Sequence, residues 1–77
     1  MDNVVNNFFM YCETIEIRLL RGDKEFIARL VRGLPVNFTR KLLRQYISEW
    51  QQEVEENKAR RRANTFLREF MEDVCQS

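Results

Sequence analysis

The sequence predicts an all-α fold of three to four helices, with a helix-turn-helix-like unit in the middle and a long or bent C-terminal helix. Three observations carry this. Two glycines and one proline in 77 residues leave little turn chemistry for a sheet. Apolar residues recur at three- and four-residue intervals instead of alternating. Gly33-Leu34-Pro35 sets a stop signal between two amphipathic stretches.

The first helix is expected to start from a cap at Asp2 or Asn3 and to carry Val5, Phe8, Cys12, Ile15 and Leu19 on one stripe. Val4, Tyr11 and Leu20 widen that stripe, Phe9 and Ile17 lie off it, and Gly22 is the expected stop. Asp23 then caps a short helix, Lys24 to Arg32, with Phe26, Ile27, Leu30 and Val31 inward. In the third helix Thr39 is the expected N-cap, with Phe38 stapled onto Leu43. Its apolar set is Leu42, Leu43, Tyr46, Ile47, Trp50 and Val54; Arg40, Lys41, Arg44, Gln45, Ser48 and Gln52 fall on the opposite arc. The stripe loses phase after Val54 and resumes as Ala59, Ala63, Phe66, Phe70 and Val74, with Leu67 and Met71 beside it. A break near Asn57 and a fourth helix from about Lys58 to Val74 are expected; a continuous dimerising helix is the alternative.

One helical domain, residues 1–77, accounts for this length, either alone or cut from a longer protein. The net charge is only +1, but it conceals two basic blocks, Arg18–Arg44 and Lys58–Arg68, separated and flanked by acidic ones. Cys12 and Cys75 have no motif spacing, and no secretory or membrane-spanning segment is visible. Reduced thiols in a cytoplasmic protein are the expectation, although packing of the first and last helices would also permit a disulfide.

Catalysis is not expected. Histidine is absent, Ser48 and Ser77 lie in no nucleophile motif, and no glycine-rich phosphate loop exists. Two distant cysteines make no metal site, so no metal, cofactor or small-molecule substrate is anticipated. The paired acids Glu55-Glu56 and Glu72-Asp73 read as solvated helix surface. The aromatics Tyr46, Trp50, Phe66 and Phe70 fall on apolar stripes and read as core, not as base-stacking platforms.

The segment Asp23–Trp50 carries most functional content. A short helix, a glycine-containing connection and an amphipathic helix outline a helix-turn-helix, whose second helix reads the major groove. Thr39, Arg40, Lys41, Arg44, Gln45 and Ser48 would face the bases and phosphates, with Arg29 and Arg32 anchoring the backbone. Arg29 stands where that motif has a small residue, and the connection Leu34–Phe38 is long for it. An ordinary helical hairpin with a solvated basic face is therefore the competing reading. Lys58, Arg60, Arg61 and Arg62 either grip phosphates, pair with Glu53, Glu55 and Glu56, or solvate the helix.

Gly33-Leu34-Pro35 with Arg40, Leu43 and Tyr46, and Arg61-Arg62-Ala63-Asn64 leading to Phe66-Leu67-Arg68-Glu69, resemble helical segments of replication initiators from phages and other mobile elements. The resemblance covers about half the chain. It implies a DNA-contacting or assembly role outside any nicking or helicase core. The expected function is thus a DNA-binding domain on double-stranded DNA, from a replication or regulatory protein. A homodimer is expected from surplus apolar surface at Phe9, Ile17, Leu67 and Met71. The rival is a non-enzymatic protein-interaction module: an adaptor, antirepressor or inhibitor.

Overall fold

The computed structural model describes residues 3–76, with side chains from Val4 to Asp73. Among these residues the fold is all-α: α1 Asn3–Thr14, α2 Arg21–Val31, α3 Val36–Gln51 and α4 Glu56–Gln76. They form two compact units, Met1–Arg40 and Lys41–Ser77, with the boundary inside α3.

In the first unit α1 buries Val5, Phe8 and Cys12, the centre of the expected stripe. The helix is shorter than its periodicity implied. Glu16 adopts φ 62°, and the Ile17 N–H donates to the Cys12 carbonyl at 2.8 Å while the Glu16 N–H donates to Glu13 at 3.3 Å. These two bonds are the Schellman closure, with Glu16 in the left-handed position that glycine usually fills. The β-branched run Thr14-Ile15 and Ile17 disfavours further helix, and the Thr14 hydroxyl turns back to the Tyr11 carbonyl at 2.6 Å. Ile17, expected off the stripe, is buried like Cys12, in keeping with the apolar contact that accompanies such closures. Tyr11 and Leu20, expected to widen the stripe, are more than half exposed. The expected cap at Asp2 lies outside the described residues.

Gly22 does not stop α1; it sits in the first turn of α2. Nor is Asp23 the N-cap. Leu20 holds that place with extended backbone, φ −76° and ψ 162°, and the Asp23 carboxylate, at N3, accepts the Leu20 N–H at 3.0 Å. The acid still serves the helix start, from one turn inside, where it also faces the positive end of the macrodipole. Ile27 and Val31 are buried, with Phe26 and Leu30 half-buried. Lys24 Nζ lies 5.7 Å from the Phe9 ring centroid, linking α2 to α1.

The end of α2 is a type II turn. Arg32 has φ −60° and ψ 125°, Gly33 has φ 86°, and the Leu34 N–H donates to the Val31 carbonyl at 3.1 Å. The second central residue of such a turn requires positive φ, which is why glycine stands there. Pro35 ends the connection and also caps the next helix: its carbonyl accepts the Thr39 N–H at 2.9 Å. Thr39 is therefore not the N-cap of α3 but lies one turn inside it. Its side chain is 1% exposed, and its hydroxyl has no hydrogen-bond partner. Phe38, at N3 and 40% exposed, is in the wrong register for a staple, which needs the residue preceding the cap.

In the second unit Leu42, Leu43, Tyr46 and Trp50 of α3 are buried. Val54 is not; it is fully exposed in the connection after Gln51. Three-residue-spaced bonds from the Gln52 N–H to the Glu49 carbonyl and from the Glu53 N–H to the Trp50 carbonyl tighten the chain into a 3-10 turn at the helix end. α4 begins at Glu56, with the Ala59 N–H on the Glu55 carbonyl at 2.9 Å. The C-terminal segment is broken, not continuous. Along α4 the buried line is Ala59, Ala63 and Leu67, while Phe66 and Phe70 stand half-buried beside it with centroids 6.5 Å apart. Two alanines on that line let the α4 backbone approach its neighbours closely. Leu67 and Ile17, counted as surplus surface in the sequence, are both core. Val74 and Cys75 lie outside the described side chains.

Two measurements test these features. Glu16→Gly is expected to stabilise the chain by about 0.5–1 kcal/mol, because glycine adopts the left-handed turn without strain. Glu13→Gly, inside α1, should instead cost about 1 kcal/mol. Thermal unfolding of the pair checks the sign difference. Burial pushes the Cys12 thiol up to about 11, against the lowering effect of the Lys24 charge. The folded form therefore holds its proton more tightly, and the associated stability is lost as pH rises from about 9 to 11. In a Cys75→Ala variant, Cys12 should resist alkylation at neutral pH until denaturant is added; rapid reaction of the folded chain would contradict this burial.

Candidate functional site

Helical geometry builds a cationic surface on α3. Burial of Leu42, Leu43, Tyr46 and Trp50 turns the opposite side of the helix to solvent. Lys41, Arg44, Gln45 and Ser48 of the second unit are all exposed there, and Arg40 is exposed on the preceding residue of the same helix. Among the described residues, Arg40, Lys41 and Arg44 make no ion pair. In the second unit the side chains that could contact a polyanion are thus presented by a helix whose other face is packed.

The second basic block is divided by its surroundings. Arg62 is committed to the protein: its Nε donates to Glu49 at 3.2 Å, Nη1 to Glu53 at 3.2 Å and Nη2 to Gln52 at 2.6 Å. The bonds to Glu49 and Glu53 raise its guanidinium above the usual arginine value. Three acceptors from the end of α3 and the following turn converge on one side chain of α4. Arg60 lies 5.4 Å over the Trp50 ring and reaches Glu56 at 4.0 Å, with its side chain only 16% exposed. Lys58 reaches Glu55 at 3.9 Å in a solvent-exposed pair, worth little by itself. Arg61 differs from these three, being exposed with no ion pair among the described residues.

The other sequence-derived positions fall as follows. Arg29 and Arg32 are exposed in the first unit, Arg29 in the last turn of α2 and Arg32 at its C-cap. Cations there complement the helix dipole whatever else they contact. Thr39 is withdrawn from any surface contact by its burial. Tyr46 and Trp50 are core side chains with centroids 6.2 Å apart, so neither offers a face for stacking. Sequence reasoning missed the bond from the Tyr46 hydroxyl to Asn64 Oδ1 at 3.2 Å and the convergence on Arg62. Both join residues across the break between α3 and α4, where helical periodicity carries no information.

Among the described residues no group of His, Cys, Asp and Glu side chains is arranged to hold a metal ion. No described helix is long and apolar enough to cross a membrane. Comparison with protein families, curated proteins and solved structures returned no match.

The division of the second block predicts different behaviour for adjacent arginines. Arg62→Ala should lower the midpoint of thermal unfolding, because Glu49 and Glu53 then face each other without their shared cation. Arg61→Ala should leave that midpoint unchanged. Equal effects in circular-dichroism melts would show that Arg62 does not hold α3 and α4 together.

Proposed function

We propose that this chain is a DNA-binding domain of a replication-initiation or regulatory protein of a mobile element, with α3 as the element that meets duplex DNA. One observation carries the reading. Lys41, Arg44, Gln45 and Ser48 share the outward side of α3, Arg40 adjoins them, and the cations among them are exposed without ion pairs. Arginine bonds bidentately to guanine, glutamine to adenine, and lysine and serine suit phosphates. A helix preceded by a second helix and a four-residue connection is the element order in which such groups enter the major groove. The likeness of Gly33-Leu34-Pro35 and Arg61-Arg62-Ala63-Asn64 to replication-initiator segments supports the same class. In this reading the domain acts in the cytoplasm, and pairing of two copies would present two α3 faces to a repeated or palindromic site. Phe9 and Met71, both half-buried, are what remains of the apolar surface first assigned to that pairing.

A second reading has its own observation. Met10, Tyr11 and Leu20 are 66%, 54% and 57% exposed, and large exposed apolar side chains suit a protein partner. An adaptor or inhibitor would use them and leave the α3 arginines idle.

Fluorescence-anisotropy titration with random duplex DNA separates the two. Arg40→Ala and Arg44→Ala should each weaken binding, roughly tenfold for a lost charged contact worth about 1–3 kcal/mol, with unchanged thermal stability. Binding equal to the parent in both variants would sink the α3 reading; a parent that binds no duplex even at low salt would favour the protein-interaction module.

A further inference from the structure

α4 carries a second polar surface that the α3 reading does not use. Asn57, Arg60, Arg61, Asn64, Thr65 and Arg68 line a shallow groove along it. No carboxylate and no apolar side chain lines this groove. Asn57, Arg61, Asn64 and Arg68 recur at intervals of four, three and four residues, which places them on one side of the helix. Arg61 and Arg68 are two turns apart, about 10.5 Å along the axis at the standard rise.

The groove is held from beneath. The Tyr46 hydroxyl donates to Asn64 Oδ1 at 3.2 Å, which orients that amide. Arg60 is braced over Trp50. Arg61 and Arg68 are exposed and make no ion pair among the described residues. For Arg61 this follows from sequence: its helical neighbours at three and four residues are Asn57, Lys58, Asn64 and Thr65, none of them acidic. Arg68 has Glu72 one turn on, yet the two form no ion pair.

We propose that this face of α4 binds the phosphate backbone of duplex DNA, with Arg61 and Arg68 as the charged contacts and Asn57, Asn64 and Thr65 as neutral partners along the groove. The proposal rests on the DNA-binding reading and adds a second surface to it. Guanidinium, amide and hydroxyl donors are the groups that contact phosphate and sugar oxygens and set register without reading sequence. A protein partner would instead call for an aromatic or aliphatic anchor at the centre of the surface, and the groove has none. Of the second basic block, phosphate binding falls to Arg61, joined by Arg68, whereas Lys58, Arg60 and Arg62 serve the protein's own carboxylates.

The test is the salt dependence of duplex binding, measured by anisotropy for the full chain and for Arg61→Ala and Arg68→Ala. Each variant should lower the slope of log affinity against log salt by about 0.9, the value for one phosphate contact on B-DNA. Their thermal midpoints should match the parent. Arg21→Ala, which removes an exposed cation paired with Glu25, should leave the slope unchanged. A parent that binds with both variants keeping its slope overturns the α4 proposal and leaves α3 as the DNA contact. A parent that binds no duplex even at low salt overturns both. Variants that lose affinity only for a polyglutamate peptide would assign the face to an acidic protein and overturn the proposal likewise.

Discussion

The second unit depends on burying Tyr46 and Trp50 while satisfying the polar groups around them. Tyr46 is fully buried and Trp50 nearly so, and aromatic rings supply more apolar area than any aliphatic side chain. A phenol in that position needs an acceptor, since an unsatisfied buried hydroxyl costs about 1–3 kcal/mol. Asn64 supplies it from α4, and Arg60 covers the Trp50 ring from the same helix. Two α4 side chains one turn apart thus set its register against α3. The alanines at 59 and 63 then follow as a consequence, because larger residues there would hold α4 too far away.

The same register decides what each charge does. The Arg62 guanidinium comes within reach of Glu49, Gln52 and Glu53 because α3 stops at Gln51 and the chain turns back. In one uninterrupted helix Arg62 would stand nine residues from Glu53, more than two turns away. The break therefore converts an acidic cluster and a basic cluster into a tie between helices. Arg61, one residue earlier, projects about 100° away and stays in solvent. A block of adjacent cations is accordingly split between stabilising the fold and remaining available to a partner. The α3 cations escape such pairing for a simpler reason. Between Arg40 and Ser48 the helix contains no acid, so no i,i+4 neighbour can neutralise them.

The first unit depends on two backbone reversals with positive φ. Gly33 meets that need without steric cost, and its role was legible from its place before Leu34 and Pro35. Glu16 meets it with a Cβ present, and nothing in its type announces a helix end. The periodic stripe ran on through Ile15 and Leu19, so the turn was invisible to spacing alone. Asp23 was recognisable as a helix-start residue, but a carboxylate can bind the first N–H groups from the cap itself or from N3. The choice fell to N3 because Leu20, not Asp23, has the extended backbone.

The sequence by itself determined the helical class, the position of the glycine turn, the inward placing of Leu42, Leu43, Tyr46 and Trp50 on α3 and the solvent-facing row Arg40, Lys41, Arg44, Gln45 and Ser48. These follow from a 3.6-residue period and from local backbone preference, which act within one element. Tertiary structure alone decided that Thr39, Ile17 and Leu67 are core, that Val54 is not, and which arginines of the second block are tied to carboxylates. Those outcomes depend on distances between residues in different elements, and helical periodicity contains no term for such distances.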